Sequence, residues 1–167
     1  PVKLTIERLN VGFDVTDLSI RASLGEPTPI TRPHVTIEGM SAGLFGGRLY
    51  LPEPGVWDFG SPENTFAVVA EGWQLGQIVA LQQNQDIQAQ GTLEGKLPLT
   101  VTAGGLVIDK GSIQALPPGG TIRYIANDTS RNLGANNKEL ALALQLLSDF
   151  RYEVLNSAVE LDRQGNL

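Results

Sequence analysis

Residues 87–102 alternate between apolar or small side chains at odd positions and polar side chains or proline at even positions. A period of two is typical of a β-strand with one dry face and one wet face. An ordinary strand has about 5–6 residues, so this segment predicts an unusually long strand. Gly91, Gly95 and Pro98 lie within it and favour a strand that bends, bulges or lies at a sheet edge. We therefore expect an elongated, curved sheet.

Shorter segments with the same period cover most of the remaining chain. The alternation slips by one residue near Thr16 and Asp17, which predicts a bulge or a tight turn at that point. The motif Asp109-Lys110-Gly111 separates two apolar runs and predicts a tight hairpin. The other predicted strands cover residues 2–7, 11–16, 18–22, 34–38, 43–51, 66–71, 106–109, 112–116, 121–126 and 152–162.

Two segments have the period of a helix instead. Residues 74–83 predict a helix of two to three turns, and residues 138–150 predict a second helix that begins at an N-cap of Asn136 or Asn137. The predicted loops are residues 26–33 and residues 127–137, and the proline-rich residues 52–55 predict a turn. The predicted fold class is therefore mainly β, as an elongated, curved antiparallel sheet that forms a groove and carries two short helices.

The chain has 167 residues, a net charge of −6 and no cysteine. This acidic balance, with its scattered basic residues, argues against binding to nucleic acid and against electrostatic docking on anionic lipid. Disulfides are excluded, and no apolar run approaches the ~18 residues of a membrane span. We expect a single β-rich domain over residues 1–167. Its start at Pro1 and the turn-like residues 162–167 predict that it is a fragment of a longer chain.

One motif resembles a nucleophile site. Gly39-Met40-Ser41-Ala42-Gly43 matches the G-x-S-x-G elbow, in which a strand turns sharply into a helix and a histidine follows later in the chain. Here a glycine-rich segment follows, and the single histidine, His34, precedes the serine. A serine without a base remains a weak nucleophile. We expect a glycine-rich β-turn at residues 39–43 and no enzymatic activity.

No set of residues predicts a metal or cofactor site. His34 has no second histidine or cysteine to complete a ligand set, and Asp14 and Asp17 are too sparse for a calcium site. Trp57 and Trp73 could stack on a sugar, but such residues more often plug the ends of a sheet. We therefore expect no metal and no cofactor.

Three segments together resemble a known family. They are the G-T-L-E-G-K-L-P-L run of residues 91–99, residues 106–124 with their G-G-T-I-R-Y motif, and the Leu-rich residues 140–152 that end in D-F-R-Y. These segments resemble the C-terminal part of the YdbH proteins of Gram-negative bacteria. Those proteins are related to the AsmA and TamB group and carry an older label of dicarboxylate transport. Residues 71–167 carry the resemblance, and residues 1–70 are consistent with a β meander.

The resemblance implies a periplasmic bridge, anchored in the inner membrane through a segment outside this chain. It implies that phospholipid acyl chains move to the outer membrane along an apolar β-sheet groove. It also implies a small outer-membrane lipoprotein that docks near the C-terminal end by strand addition. The candidate groove lining is Ile87, Leu93, Leu97, Leu99, Val101, Ile122 and Tyr124. The candidate edge strand for the partner contains Tyr152, Val154, Val159 and Leu161.

Three alternatives remain open. The dry face could be an ordinary core under the two helices, in a structural scaffold that pairs through its edge strands without lipid conduction. An enzyme would require Ser41 to react as a nucleophile. A dicarboxylate binder would require converging cationic side chains, for which Arg123 and Arg151 are the candidates near the family motifs.

Overall fold

The computed structural model describes residues 1–10, 13–25, 34–82, 86–125 and 137–163. Within these ranges the chain is mainly antiparallel β with two short helices, as predicted, and its sheet is open. The strands are β1 Val2–Asn10, β2 Asp14–Leu24, β3 His34–Leu44, β4 Gly47–Tyr50, β5 Gly55–Asp58, β6 Glu63–Gln74, β7 Ile87–Gln90, β8 Thr92–Thr102, β9 Gly105–Ala115, β10 Gly120–Tyr124, β11 Phe150–Tyr152 and β12 Asn156–Leu161. The helices are α1 Leu75–Ala80 and α2 Lys138–Leu147.

The strands form two sheets. The main sheet has the order β1-β2-β3-β4-β6-β8-β9-β12, and β5 also pairs with β3, in line with β4. The second sheet has the order β11-β10-β7. The chain passes from one sheet to the other at Gly91, so the predicted long strand is interrupted there. Gly91 has a φ of 143°, a conformation that side chains rarely adopt.

The two faces of the main sheet differ in polarity. Directly paired residues share a face, so the register between strands shows which residues lie on each one. Ala42, Leu49, Ala70, Gly95 and Ile113 form one continuous row across β3, β4, β6, β8 and β9. This row belongs to a face, the apolar face, that is lined by small and aliphatic side chains. The neighbouring row on the opposite, wet face consists of Ser41, Tyr50, Val69, Lys96 and Ser112.

The core lies on the apolar face where β6 and β8 pair. Val68 pairs with Leu97, and Trp73 pairs with Leu93; all four side chains are buried. Leu75 and Ile78 of α1 pack on this cluster from the end of β6. Two aromatic contacts extend it, since the Phe45 ring lies 5.4 Å from Phe13 and 5.1 Å from Trp73.

One predicted irregularity is confirmed and one prediction is wrong. The β2–β3 register shifts between Thr16 and Ser19, and Asp17 has a φ of 50°, so the bulge lies where the alternation slips. Asp109-Lys110-Gly111 forms no hairpin, because β9 runs through it as one strand. Lys110 has a φ of 56°, and the register with β8 shifts beside it. A bulge and a hairpin both reset a period of two, so the pattern alone does not distinguish them.

Both predicted helices are present, though each is shorter than predicted. The Asn137 side chain caps α2, accepting from the Glu139 and Leu140 amides at 3.0 and 3.1 Å. The predicted strand over residues 152–162 is divided between β11 and β12, which lie in different sheets. The predicted loop over residues 26–33, and residues 127–136 of the other, lie outside the described residues.

Candidate functional site

The apolar face is covered in its middle and open at its margins. Val68 and Leu97 are 2% and 4% exposed because neighbouring side chains pack over them. Toward β1 this cover is lost, so that Val2 and Leu4 are 67% and 51% exposed. Leu4 pairs with Ile20, and Ile20 pairs with Met40, which continues the same face across three strands. The β1 margin therefore presents a strip of aliphatic surface to solvent.

A second open margin lies at the far ends of β8 and β9. Leu106 pairs with Val101 and is 48% exposed, while Val101 itself is half-buried. Leu99 is half-buried as well, and it pairs with Phe66 on one side and with Ile108 on the other. Exposed leucine and valine side chains at the margins are accessible to an apolar ligand. The same ligand cannot reach the buried middle of the face without a rearrangement.

The candidate lining residues divide between the two sheets. Leu93, Leu97, Leu99 and Val101 are brought together on the apolar face of β8, the first two buried and the last two half-buried. The other three candidates lie in the second sheet. There Tyr124 pairs with Ile87, and Ile122 pairs with Ala89.

The candidate partner residues also lie in separate elements. Tyr152 is in β11 and is 7% exposed, whereas Val154 lies between β11 and β12 and is exposed. Val159 and Leu161 lie in β12, which pairs with β9 and is the last strand of the main sheet among the described residues. Among the described residues β12 is thus one of the two outermost strands of the main sheet, with β1 at the opposite end, and its outer edge is open to addition.

The sequence analysis did not identify the contact that ties β11 to the end of β7 within the second sheet. The Tyr152 hydroxyl donates to the Gln90 carbonyl at 3.0 Å, immediately before the chain changes sheet. Gly91, Gly119 and Gly120 surround the Tyr152 side chain and backbone so closely that a Cβ atom on any of them would collide with Tyr152. The motifs behind the family resemblance contain these four residues, but only the fold shows that they touch.

The turn predicted at residues 52–55 falls at the break between β4 and β5, but its effect on sheet pairing was missed. Pro52 and Pro54 interrupt the strand that β4 and β5 would otherwise form, and β5 does not pair with β6. Because proline cannot donate to a sheet ladder, the proline spacing predicted the turn, but it gave no sign that the pairing with β6 ends there. On the wet face, where β4 pairs with β6, the Arg48 guanidinium contacts the Glu71 carboxylate at 2.6 Å. This hydrogen bond and the charge of Glu71 raise the pKa of Arg48 above its usual range.

The motif around Ser41 does not form a nucleophile elbow in the structure. Ser41 lies within β3 and pairs with Tyr50, so the turn predicted at residues 39–43 is wrong; the chain turns at Phe45 and Gly46 instead. No group of three or more acidic, histidine or cysteine residues that could hold a metal occurs in the described ranges. Ser41 therefore lacks the sharp strand-to-helix turn that exposes a nucleophilic serine above the sheet.

The two arginines considered for dicarboxylate binding already face an acidic side chain of the chain itself. Arg123 and Arg151 each lie 3.7 Å from the Asp149 carboxylate. The Trp57 ring stacks on the Phe66 ring with the centroids 6.1 Å apart, where β5 and β6 lie side by side without pairing. Neither arrangement forms a polar binding pocket on its own.

Comparison with known proteins identifies the family. Among the described residues, neither helix has the length and apolar character that crossing a membrane requires. No curated protein and no solved structure shows significant similarity to the chain. The family model described as "YdbH-like: Intermembrane phospholipid transport protein YdbH" matches residues 1–167. This match supports a role in lipid transport and a periplasmic location. The chain belongs to the YdbH-like family.

Proposed function

We propose that the chain is one module of a periplasmic bridge, and that phospholipid acyl chains move between the inner and outer membranes along its apolar face. The observation that carries this proposal is the continuity of the face, which extends from Leu4 in β1 to Leu106 in β9 and is open at both places. An acyl chain left in water costs about 0.8 kcal/mol per methylene. A continuous aliphatic surface removes that cost without fixed polar contacts, so the headgroup can remain in solvent.

The exposures divide the proposed lining into two parts. Leu4, Leu99, Val101 and Leu106 are accessible or half-buried and would contact the acyl chains directly. Leu93 and Leu97 are covered by other side chains and would support this surface from within the core. Ile87, Ile122 and Tyr124 would line a separate surface on the second sheet.

The bridge would be anchored in the inner membrane through a segment outside these residues. A small outer-membrane lipoprotein would add a strand to the edge of β12, near Val159 and Leu161. Support for this placement comes from the position of β12 as the last strand of the main sheet among the described residues. Tyr152 and Val154 would lie beside that contact and not within it, because neither belongs to β12.

One observation favours the alternative of a structural scaffold. Leu93 and Leu97 are covered by side chains of the chain itself, as in an ordinary core. In a scaffold the exposed margins would pack against further protein, and partners would pair through the edge strands without any lipid.

Photo-crosslinking in cells separates the two functions. A photoreactive residue is placed at Leu4, Leu99 or Leu106, and in matched controls at Lys3 and Thr100, which point to the wet face. Lipid conduction predicts phospholipid attached at the first three positions and not at the controls. Attachment of protein alone at Leu4 and Leu106, in a folded chain, would support the scaffold and contradict lipid conduction.

A further inference from the structure

The main sheet is open along part of β6. Residues 48–50 of β4 pair with residues 69–71 of β6, but β5, which continues in line with β4, pairs with β3 alone. On its other side β6 pairs with β8 along its whole length. The segment of β6 before Val69 therefore has no strand beside it toward β5 within the described residues. We call this gap the fissure.

Side chains bridge the fissure where backbone pairing is absent. The Asn64 side chain accepts from the Asp58 amide at 2.8 Å and donates to the Asp58 carbonyl at 3.2 Å. The Phe66 ring stacks on Trp57 and extends over Gly55, where an added Cβ atom would lie 2.5 Å from the ring. These contacts hold β5 at a fixed distance from β6, so the fissure is a built feature of the sheet.

A cavity of about 410 Å³ lies where the fissure begins, between residues 51–55 and β6, and it extends past β6 to residues 96–98 of β8. This volume lies within the range of about 300–1,000 Å³ that is typical of small-molecule sites. Consecutive residues 65–69 of β6 all line the cavity, so it meets residues of both faces at the edge of the strand. The full lining is Leu51, Pro52, Glu53, Pro54, Gly55, Thr65, Phe66, Ala67, Val68, Val69, Lys96, Leu97 and Pro98.

The chemistry of the lining is that of an amphiphile site. Leu51, Phe66, Val68 and Leu97 also belong to the core of the apolar face, which gives the cavity a hydrocarbon wall. Its charged residues are Lys96 and Glu53, both exposed and neither ion-paired within the described part of the chain. A headgroup with one phosphate and one ammonium matches this pair of opposite charges.

We propose that the fissure between β5 and β6 is a binding site for one acyl chain of a zwitterionic phospholipid, with the phosphate at Lys96 and the ammonium at Glu53. This inference rests on the proposed lipid contact and adds a lateral site to it. The acyl chain lies against Leu51 and Phe66. The headgroup remains at the charged mouth, so the site distinguishes lipids by headgroup where the continuous apolar face does not.

The site is tested with the purified chain and lysophosphatidylethanolamine that carries a photoreactive acyl chain. The labelled peptides are identified by mass spectrometry. The proposal predicts label on residues 51–55 and 65–69. Ala67→Phe fills the cavity and abolishes this label, whereas Ala158→Phe, an equally exposed change on β12 away from the fissure, leaves it intact. Thermal melts of both variants verify that they fold.

Two charge variants test the headgroup assignment. Lys96→Gln weakens binding of lysophosphatidylethanolamine and lysophosphatidylglycerol alike, by up to about fivefold, the upper range for an exposed ion pair. Glu53→Gln weakens only the ethanolamine lipid, because the glycerol headgroup has no ammonium. Lys110→Gln, outside the cavity, changes neither affinity. Equal affinities of the Glu53→Gln variant and the unsubstituted chain for the ethanolamine lipid would overturn the assignment.

The same labelling distinguishes this inference from the proposed function. Label confined to β1 and to the margin around Leu106 overturns the fissure site and leaves conduction along the apolar face intact. Label in the fissure with none at those margins supports the site and contradicts conduction along the face.

Discussion

The Tyr152 hydroxyl donates a 3.0 Å hydrogen bond to the Gln90 carbonyl and thereby connects β11 to the point where the chain leaves the second sheet for the main one. The Tyr152 side chain is 7% exposed, and the bond itself is partly buried. Gln90 directly precedes Gly91, so the contact lies at the residue where the chain leaves the second sheet.

Replacing Tyr152 by phenylalanine leaves the Gln90 carbonyl without this donor. The expected loss in the free energy of unfolding is about 0.5–1.5 kcal/mol, the net contribution of a typical intramolecular hydrogen bond. Chemical denaturation measures it. Tyr124→Phe is the control, because no hydrogen bond of its hydroxyl occurs among the described residues, and it should change stability by less than about 0.5 kcal/mol.

The pH dependence of stability follows from the same side chain. Burial raises the pKa of Tyr152 above its ordinary value of about 10. Above pH ~10 the unfolded chain loses this proton before the folded chain does, so stability is complete below that pH and falls as the pH rises beyond it. Urea midpoints on either side of pH ~10 should show a smaller decline for Tyr152→Phe than for the unsubstituted chain. An equal decline in both would contradict the assignment.

Gly91 is predicted to tolerate no side chain. An alanine there would adopt a φ of 143° and would place its methyl group against the Tyr152 hydroxyl. Such backbone strain costs about 1–3 kcal/mol by itself, and we expect Gly91→Ala to be at least this destabilising in a urea titration. Gly104→Ala is the matched control, since its Cβ would meet nothing closer than 3.7 Å, and its effect should be within about 0.5 kcal/mol.

The contrast between the covered middle and the open margins of the apolar face can be measured with two leucines. Leu97→Ala removes a side chain that is 4% exposed and should cost about 2–5 kcal/mol. Leu106→Ala acts on the same face of the next strand, where the side chain is 48% exposed, and should cost about 1 kcal/mol or less. Comparable losses for the two variants would mean that the margin is as tightly covered as the middle.

Local patterns predicted the elements of this fold better than their connections. The alternation in residues 87–102 is correct for both β7 and β8, yet it gives no sign that they lie in different sheets. The division falls at Gly91, which lies against the Tyr152 hydroxyl of a strand far away in the sequence. Likewise, Lys110 has the backbone conformation of a turn, but the strand continues because β8 and β12 lie on either side of it to pair with β9.

The candidate site was predictable in its polarity and not in its accessibility. Leu97 and Leu106 satisfy the same period-two pattern, since both point to the apolar face. What distinguishes them is the cover over the middle of the sheet, which comes from aromatic residues and α1 elsewhere in the chain. The fissure depends on two prolines whose effect is visible only once β5 is seen to pair with β3.

The strand order also has a consequence for how the molecule is assembled. From β1 to β9 nearly every strand of the main sheet pairs with a neighbour in sequence, so this part can grow hairpin by hairpin as the chain emerges. β12 is different, because residues 156–159 pair with residues 111–114 only after the chain returns across residues 115–155. Closing that long loop is slow relative to the hairpins. We therefore expect β12 to join last, which leaves the edge of β9 temporarily free during folding.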